Sequence, residues 1–280
     1  MVATPIGNLA DIGLRALHVL SLADTIACED TRHTAGLLQG YGLHKPLLAV
    51  HEHNEAEAAL TVVQRLREGQ RVAYVSDAGT PGVSDPGARL AQAVNAAGLR
   101  CVPLPGPSSI TALLSVTGHA GWDGQFVFRG FLSPKAGERL KGVQQLGAET
   151  RASVLLEAPH RIEALAKDLA TLGDRTLTVG RELTKQFEEV AQMPARELPA
   201  WLAGGAHRTR GEFALLVHPQ TTALEEGLPA ESLRVLDLLL AEMPVKPAVR
   251  LAAEISGQPR NALYEAALAR RQAGKEGDAK

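Results

Sequence analysis

The residues best suited to chemistry lie in one glycine-rich segment, residues 76–87, which reads S-D-A-G-T-P-G-V-S-D-P-G. An apolar run at residues 72–75 precedes it and predicts a buried strand. Glycine lets a ligand approach the main chain closely, so the backbone of such a loop can bind a ligand directly. Asp77 and Asp85 are the only charged residues of the segment. Because two carboxylates repel a phosphate, they favour a ligand with hydroxyls, an amine or a positive centre.

The same segment lacks two common nucleotide-binding motifs. It contains neither G-x-G-x-x-G, the dinucleotide fingerprint, nor the G-K-[ST] of a Walker A loop. An ordinary strand-to-helix turn, with Asp85 as N-cap and Pro86 at the first helical position, is equally compatible with these residues alone. The rest of the chain must therefore distinguish a site from a turn.

Five polar, glycine-rich or proline-rich segments follow predicted strands. They read T-P-I-G-N, C-E-D-T-R-H, H-E-H-N-E, S-D-A-G-T-P-G and P-G-P-S-S. The alternation of strands and helices with short connections predicts an α/β fold with a mostly parallel sheet covered on both faces. Since ligands of open α/β sheets bind at the carboxyl ends of the strands, the five segments together predict a site at that edge.

The predicted elements fall into three parts: an N-terminal α/β domain at 1–117, a C-terminal α/β domain at 118–220, and a helical, helix-turn-helix-like appendage at 225–280. In the first part, Asn54 begins a helix and Glu57 completes its capping box. The predicted strands are 25–28, 47–50, 72–75 and 99–102 in the first part and 126–130, 152–156, 176–179 and 213–217 in the second. Helices are predicted at 231–243, 246–256 and 259–271. A small bundle that packs on its own protein or on a second copy is an alternative for these helices.

Composition narrows the function. The chain has 280 residues, 45% of them hydrophobic, and a formal net charge of −2, so no overall basic field indicates nucleic acid. Cys28 and Cys101 form no C-x-x-C motif, which argues against a disulfide framework or a zinc site. No apolar run reaches membrane-spanning length and the start does not resemble a signal peptide, so we expect a cytoplasmic protein.

A cluster of polar residues could suggest a metal, but its spacing is not diagnostic. It comprises Glu29, Asp30, His33, His51, Glu52 and His53. We expect no metal there, and instead a hydrogen-bonded network that lines the mouth of the substrate site.

The ordered motifs of the chain resemble those of a known family. In order they are V-A-T-P-I-G-N-L-A-D-I, C-E-D-T-R-H-T, H-E-H-N-E, S-D-A-G-T-P-G-V-S-D-P-G, P-G-P-S-S, G-F-L-S-P-K, E-A-P-H-R, R-E-L-T-K and G-E-F. From Val2 to about Val217 they are similar to the ribosomal RNA small subunit methyltransferase I family, which belongs to the tetrapyrrole-methylase-like superfamily. The departures are small: a shortened first strand, serine in G-F-L-S-P-K where a second proline is expected, and alanine in E-A-P-H-R.

The resemblance implies S-adenosyl-methionine as cofactor, bound between two α/β domains, and 2′-O-ribose methylation of a cytidine in the decoding region of 16S rRNA. It also implies a homodimer. The resemblance implies that the following positions of this chain contact the cofactor: Pro5, Asp77, Ala78, Gly79, Thr80, Val83, Ser108, Ser109, Ile110, Leu156, Phe213 and Ala214. A sulfonium ligand agrees with the two aspartates that disfavour a phosphate.

The candidates for catalysis and RNA binding follow from the chemistry of the expected reaction and from the charged residues at strand ends and in loops. Methyl transfer to a hydroxyl needs alignment and a group that accepts the hydroxyl proton. Glu157 is the first candidate for that group and His160 the second, although an ion pair of Glu157 with Arg161 or Arg181 is an equal alternative. The candidates to bind the RNA backbone are Arg32, Lys135, Arg139, Arg161, Arg181 and Lys185, each of which taken alone is more often a solvated surface charge.

Two other functions remain open at this level. The substrate could be a tetrapyrrole or a protein side chain, as in related families, although the basic residues and the helical appendage argue against a small pigment. The chain could also be a non-catalytic ribosome-assembly factor that binds RNA. The intact glycine-rich loop argues against that alternative, since a pure RNA binder has no need of it.

Overall fold

The computed structural model describes residues 1–51, 53–118, 123–220, 228 and 230–277, without the side chains of 230 and 271–277. The chain forms two compact units, Met1–Gln220 and Thr221–Lys280. The predicted boundary at 117/118 and the start of the appendage at 225 remain predictions, because residues 119–122 and 221–227 lie outside the described residues. Among the residues that the structure describes, no helix is long and apolar enough to cross a membrane.

The first half of unit 1 contains a parallel sheet of three strands, as predicted. The strands are β1 (Thr25–Cys28), β2 (Leu47–Ala49) and β3 (Val72–Val75), in the order β2-β1-β3. A 3-10 turn (Leu9–Asp11) precedes helices α1 (Leu14–Leu22), α2 (Thr31–Gly40), α3 (Glu55–Arg67), α4 (Ala88–Ala96) and α5 (Ser109–Thr117). Buried residues fill both faces of the sheet, with Ile26 and Val75 on one face and Ala27 and Tyr74 on the other. All three strands therefore end at the same edge of the sheet. The glycine-rich segment, which comes directly after β3, starts at that edge.

The predicted strand at 99–102 does not form. Instead, single bridges join Val2 to Leu104 in parallel and Thr4 to Gly79 in antiparallel orientation. Pro103 and Pro105 explain the difference, because proline has no N–H to donate to a strand ladder.

The predicted start of α3 is confirmed, since Asn54 is its N-cap residue, but the predicted capping box does not form. The Asn54 side chain makes no cap hydrogen bond; its Oδ1 accepts from the His51 N–H and its Nδ2 donates to the Ala49 carbonyl. The helix after the glycine-rich segment begins at Ala88, not at Pro86, and its N-cap is Gly87 with φ 126°. Side chains elsewhere in the chain must therefore satisfy its first N–H groups.

The second half of unit 1 contains a mixed sheet of five strands in the order β4-β5-β8-β6-β7. The strands are β4 (Phe126–Gly130), β5 (Ala152–Glu157), β6 (Thr176–Arg181), β7 (Glu189–Pro194) and β8 (Phe213–Val217). The helices are α6 (Ala136–Ala148), α7 (Ile162–Leu169) and α8 (Leu198–Ala203), with 3-10 turns at Ala170–Leu172 and Ala195–Glu197. Only β4 and β5 pair in parallel. The sequence predicted four of these strands and missed β7.

The two faces of this sheet have different partners. On one face, Leu215 and Val179 pack with α6 and α7 residues such as Val143 and Leu165. On the other face, Ala214 and Leu216 pack with residues of the first half, including Ile6, Ile110 and Leu113. The side-chain alternation of β8 thus holds the carboxyl edge of the first sheet against the second sheet.

Unit 2 is a three-helix arrangement with its own core. Helices α9 (Ala230–Glu242), α10 (Val245–Ser256) and α11 (Arg260–Gly277) agree with the predicted ranges within a few residues, except that α11 extends further. Leu236, Ala252 and Leu263 are fully buried among them. Gly257 has φ 69°, the left-handed conformation that ends a helix at a tight turn.

Candidate active site

A cavity of about 300 Å³ lies between the carboxyl edge of the first sheet and the inner face of the second. We call it the first cavity. Ten of the twelve residues predicted to contact a cofactor line it: Ala78, Gly79, Thr80, Val83, Ser108, Ser109, Ile110, Leu156, Phe213 and Ala214. The other two, Pro5 and Asp77, line a neighbouring cavity of about 490 Å³, the second cavity. The structure therefore brings together residues up to about half the chain apart in sequence.

The glycine-rich loop forms one wall of the first cavity. Its glycines take backbone conformations that favour glycine, with φ 78° at Gly79 and 83° at Gly82. Gly79 exchanges two backbone hydrogen bonds with Thr4, at 2.9 and 3.1 Å. The Thr80 hydroxyl donates to the Pro107 carbonyl at 3.2 Å. These contacts fix the loop against the N-terminal segment at Thr4 and against the segment before α5.

The first turn of α5 forms a second wall. Ser108 is its N-cap but its side chain makes no cap hydrogen bond, and both Ser108 and Ser109 line the cavity. N–H groups at a helix start attract an anionic group such as a carboxylate. This wall and the acidic loop opposite suit a ligand that carries both signs of charge.

Glu55 holds the start of α4, and sequence reasoning missed it. Its side chain is buried, and its Oε1 accepts hydrogen bonds from the N–H groups of Gly87, Arg89 and Leu90 at 2.9, 2.9 and 3.2 Å. One carboxylate thus satisfies three orphan donors at a helix N-terminus, where the helix dipole favours negative charge. No local signal predicts this contact, because Glu55 and Gly87 are 32 residues apart.

Asp85 places a carboxyl group in the wall of the first cavity. Burial, together with the nearby charges of Glu29 and Asp77, raises the pKa of Asp85 to about 6, although a hydrogen bond with Ser76 opposes the shift. A cationic ligand in the cavity would favour the ionised form. The surroundings of Asp85 therefore disfavour its ionised form, which is typical of functional carboxylates.

We expect Asp85→Asn to stabilise the ligand-free protein at pH 7.5 by on the order of 1 kcal/mol, after allowance for partial exposure. The folded-state pKa lies above the ordinary value of 3.8, so the native state binds the proton more tightly. Stability is therefore lost as pH rises from 3.8 to about 6, and the variant's advantage shrinks as pH falls towards 4. Urea unfolding at several pH values measures the difference in the free energy of unfolding between the variant and the unchanged protein. Asp11→Asn, at an exposed aspartate, is the control, and an advantage of Asp85→Asn that is independent of pH would contradict the expectation.

Glu157 lines the first cavity but is deeply buried, with no exposed side-chain area. Its Oε1 accepts from the Ala158 N–H at 2.9 Å and lies 3.1 Å from the Arg161 Nε. That Nε–H does not point at the carboxylate, so the contact with Arg161 is an ion pair without hydrogen-bond geometry. Burial raises the pKa of Glu157, against the opposing Ala158 N–H and the charge of Arg161. His160 is exposed and is not among the residues that line either cavity.

The six predicted RNA-binding residues occupy different environments. Arg32 and Lys185 line the second cavity. Lys135 is exposed and pairs with Glu138 at 3.2 Å. Arg161 is half-buried and donates to the Leu132 carbonyl.

Arg139 and Arg181, in contrast, are buried. Arg139 donates to Asp168 at 2.7 Å, and Arg181 donates to the backbone carbonyls of Arg210 and Phe187. Because their guanidinium groups are engaged inside the protein, the geometry does not favour these two as phosphate ligands.

Further residues of the site had only weak signals in the sequence. Gly180 of β6 and Leu183 line the first cavity, and Glu212 lines both cavities. The motifs R-E-L-T-K and G-E-F contain Leu183 and Glu212, but a motif does not say which of its residues face a ligand. Among the described residues, no group of three or more His, Cys, Asp or Glu side chains could hold a metal ion; Glu52 lies outside them.

The fold and the cavity define a class of protein. The family model described as tetrapyrrole (corrin/porphyrin) methylases matches residues 1–199, and the one described as the RsmI C-terminal HTH domain matches residues 226–271. Proteins called ribosomal RNA small subunit methyltransferase I are similar over nearly the whole chain. Those of Pseudomonas aeruginosa and Escherichia coli O157:H7 are each 46% identical over 96% of this chain, and over 96% and 93% of their own lengths. The chain belongs to the ribosomal RNA small subunit methyltransferase I family.

Solved structures share the fold at low sequence identity. A uroporphyrin-III-C-methyltransferase from Thermus thermophilus matches with a TM-score of 0.55 and 22% identity, over 78% of this chain and 92% of that one. The cobalt precorrin-4 methyltransferase CbiF matches with a TM-score of 0.57 and 15% identity, over the same shares. The predicted tetrapyrrole-methylase fold, with a helix-turn-helix-like C-terminal part, is confirmed.

Proposed function

We propose that this chain is an S-adenosyl-methionine-dependent methyltransferase that acts on ribosomal RNA of the small subunit. The observation that carries the proposal is the first cavity, where ten of the residues implied by the family resemblance meet. The similarity to small-subunit rRNA methyltransferases over 96% of the chain supports the RNA as substrate.

The composition of the first cavity fits this cofactor. Asp85, Glu157 and Glu212 line it, and none of the described residues that line it is a lysine, arginine or histidine. Such a wall favours a sulfonium and an ammonium over a pyrophosphate. The start of α5, at Ser108 and Ser109, offers N–H groups for the cofactor's carboxylate.

The cofactor supplies a methyl group on a positively charged sulfur, which is already strongly electrophilic. The protein therefore has to orient that methyl group in line with the acceptor oxygen, and alignment accounts for most of the acceleration. The loop at 76–87 and the start of α5 would hold the cofactor's charged groups, while Ile110, Leu156 and Ala214 provide apolar walls that would exclude water.

The finer proposals are 2′-O methylation of a cytidine in the decoding region of 16S rRNA, a homodimer and a cytoplasmic location. We also propose that Met1–Gln220 comprises two domains divided at 117/118, and that Arg32, Lys135, Arg161 and Lys185 contact the RNA backbone. Analytical ultracentrifugation measures the oligomeric state.

The test is transfer of labelled methyl from S-adenosyl-methionine to small subunits from cells that lack this protein, followed by mass spectrometry of the nucleosides. A 2′-O-methylcytidine in 16S rRNA is the expected product. Thermal unfolding with cofactor is the parallel control, since a ligand at 100 times its Kd stabilises the folded state by about 2.7 kcal/mol. Stabilisation by the cofactor without transfer to RNA would rule out the rRNA substrate and favour a tetrapyrrole or protein acceptor. If S-adenosyl-methionine neither stabilises the protein nor donates a methyl group to RNA, the result would favour a non-catalytic RNA binder.

A further inference from the structure

The two cavities meet at three residues. Ile6, Ala78 and Glu212 line both. Of the three, only Glu212 has a polar side chain, and 72% of that side chain is exposed. If a methyl donor lies in the first cavity, an acceptor in the second cavity must reach it past Glu212.

The second cavity has the chemistry of a ribonucleotide site. Arg32, His33 and Lys185 supply cationic or hydrogen-bonding groups, the carboxylates of Asp77 and Glu212 can accept hydrogen bonds from ribose hydroxyls, and Leu9 and Leu37 supply apolar surface. Its volume of about 490 Å³ is within the range of small-ligand pockets. The Arg32 side chain is 91% exposed and its ion pair is with Asp30, two residues away. Such a surface ion pair contributes little, so a phosphate can replace the aspartate.

Lys185 fixes the Glu212 carboxylate. Its Nζ donates to the Glu212 Oε2 at 3.0 Å and to the Glu182 Oε1 at 2.9 Å. The Glu212 N–H also donates to the Glu182 Oε1, at 2.9 Å. Burial lowers the pKa of Lys185, but the hydrogen bonds to the two glutamates outweigh it and the net shift is upward. Lys185 therefore stays charged and cannot serve as a base.

The backbone around this network is strained. Glu182 and Thr184 have φ 51° and 67°, which non-glycine residues adopt only when their surroundings hold them. Gly211 has φ 84°, and a Cβ there would lie 2.4 Å from the Glu182 Cγ. At Gly7, a Cβ would lie 2.3 Å from the Lys185 Cγ. The two glycines thus let the lysine and the glutamates approach the edge shared by the cavities.

We propose that the second cavity binds the acceptor ribonucleotide and that Glu212 accepts the proton of its attacking ribose hydroxyl. In this step the oxygen–methyl bond forms as the sulfur–methyl bond breaks, and the sulfonium leaves as a neutral thioether. The hydroxyl proton passes to the Glu212 carboxylate and then to solvent, to which that side chain is open. Lys185 is a positioning residue. This assignment rests on the proposed function and names the proton acceptor of the same site.

The geometry favours Glu212 over the two residues predicted for this role. Glu157 has no exposed side-chain area and lines only the first cavity, so it has no direct route for the proton to solvent. His160 is not among the residues that line either cavity.

The test of the proton acceptor compares Glu212→Gln, Glu157→Gln and the exposed control Glu163→Gln in the full-length protein. Single-turnover methyl transfer to small subunits is measured at saturating cofactor over a range of pH. We expect Glu212→Gln to slow transfer by roughly 100-fold or more and to keep the cofactor Kd. We also expect the unchanged protein to slow at low pH and the variant to lack that fall in rate. A rate within a few-fold of the unchanged protein would overturn the assignment, and a selective loss in Glu157→Gln would transfer the role to Glu157.

The test of the acceptor site adds bulk to the second cavity. Gly36 of α2 lines it, and a Cβ there meets nothing within 4 Å, so the side chain of Gly36→Leu starts in open space. We expect the RNA KM to rise roughly 10-fold with the cofactor Kd unchanged. Gly137→Leu, at a helical glycine with the same open space outside both cavities, is the control. An unchanged KM in Gly36→Leu would overturn the acceptor site. If the proposed function itself were wrong, the unchanged protein would transfer no methyl group to RNA. That result is distinguishable from failure of the Glu212 assignment and from failure of the acceptor site, in both of which the unchanged protein is active.

Discussion

Glu55→Ala is expected to lower the free energy of unfolding by about 3 kcal/mol. The change removes one buried carboxylate oxygen that accepts from three N–H groups at the start of α4. Hydrogen bonds to a charged acceptor contribute about 1.5–3 kcal/mol each, and they are not additive when they share one oxygen. The Gly87 and Leu90 donors would remain buried without this acceptor. Urea unfolding monitored by circular dichroism gives the free energy of unfolding.

Glu57→Ala is the matched control, since Glu57 lies in the same first turn of α3 but is exposed. Its loss should cost only a few tenths of a kcal/mol, from the weaker interaction with the helix dipole. The capping box predicted from the sequence gives the opposite order, because in it Glu57 bonds back to the N-cap residue Asn54 and Glu55 has no role. A larger effect in Glu57→Ala than in Glu55→Ala would therefore restore the capping box and contradict the observed contact.

Glu55 also acts on function through the loop that it holds. Gly87 ends the segment 76–87, so a frayed α4 releases the wall of the first cavity that carries Asp85. We expect Glu55→Ala to bind S-adenosyl-methionine more weakly even at temperatures where it is fully folded. Glu55→Gln keeps one acceptor oxygen and should lie between Glu55→Ala and the unchanged protein in both measurements.

The parts of the site that the sequence predicts are those set by local signals. A parallel strand must end at the same edge as its neighbours, so the polar segments after β1, β2 and β3 had to meet there. The glycines and aspartates of residues 76–87 carry information about backbone conformation and charge without reference to the rest of the fold. The family resemblance then identified the matching residues of the second sheet, such as Ala214, which local signals leave undistinguished from core.

The parts that sequence reasoning missed are set by contacts between distant residues. Glu55 caps a helix 32 positions away, and Lys185 pairs with Glu212 across 27 positions. Strand β7 is half-exposed at the edge of its sheet, and only its pairing with β6 defines it. Arg139 and Arg181 have the sequence appearance of surface cations, but burial against partners such as Asp168 makes them structural. In each case the environment, rather than the residue type, determines the role.

Gly180→Val is expected to weaken binding of S-adenosyl-methionine by roughly 10- to 100-fold while the protein stays folded. Gly180 lies in β6, opposite Ala214 of β8, and both line the first cavity. A Cβ at Gly180 would lie 2.9 Å from the Leu113 Cδ1 and 3.0 Å from the Leu183 Cδ2. Both contacts are with the ends of side chains. In the ligand-free protein Leu183 can move into the cavity that it lines, whereas the fully buried Leu113 must shift slightly within the core.

A bound cofactor removes that relaxation. With the cavity filled, Leu183 cannot move, and the overpacking cost of about 1–3 kcal/mol is then borne by the complex. Valine favours strands more than glycine does, which offsets part of the cost of its contact with the buried Leu113, so the melting temperature of the free protein should fall only modestly. Isothermal titration calorimetry gives the Kd, and Gly137→Val, which adds the same atoms at an open helical position, is the control.

The double variant Gly180→Val/Leu183→Ala separates occupied space from damage to the fold. Shortening Leu183 provides room for the valine, so the affinity for S-adenosyl-methionine should return towards that of the unchanged protein. The two residues are in contact, so the effects of their substitutions on the affinity should couple strongly in a double-mutant cycle. Independent, additive losses of affinity would mean that Gly180→Val acts elsewhere, and that the first cavity does not bind the cofactor against β6.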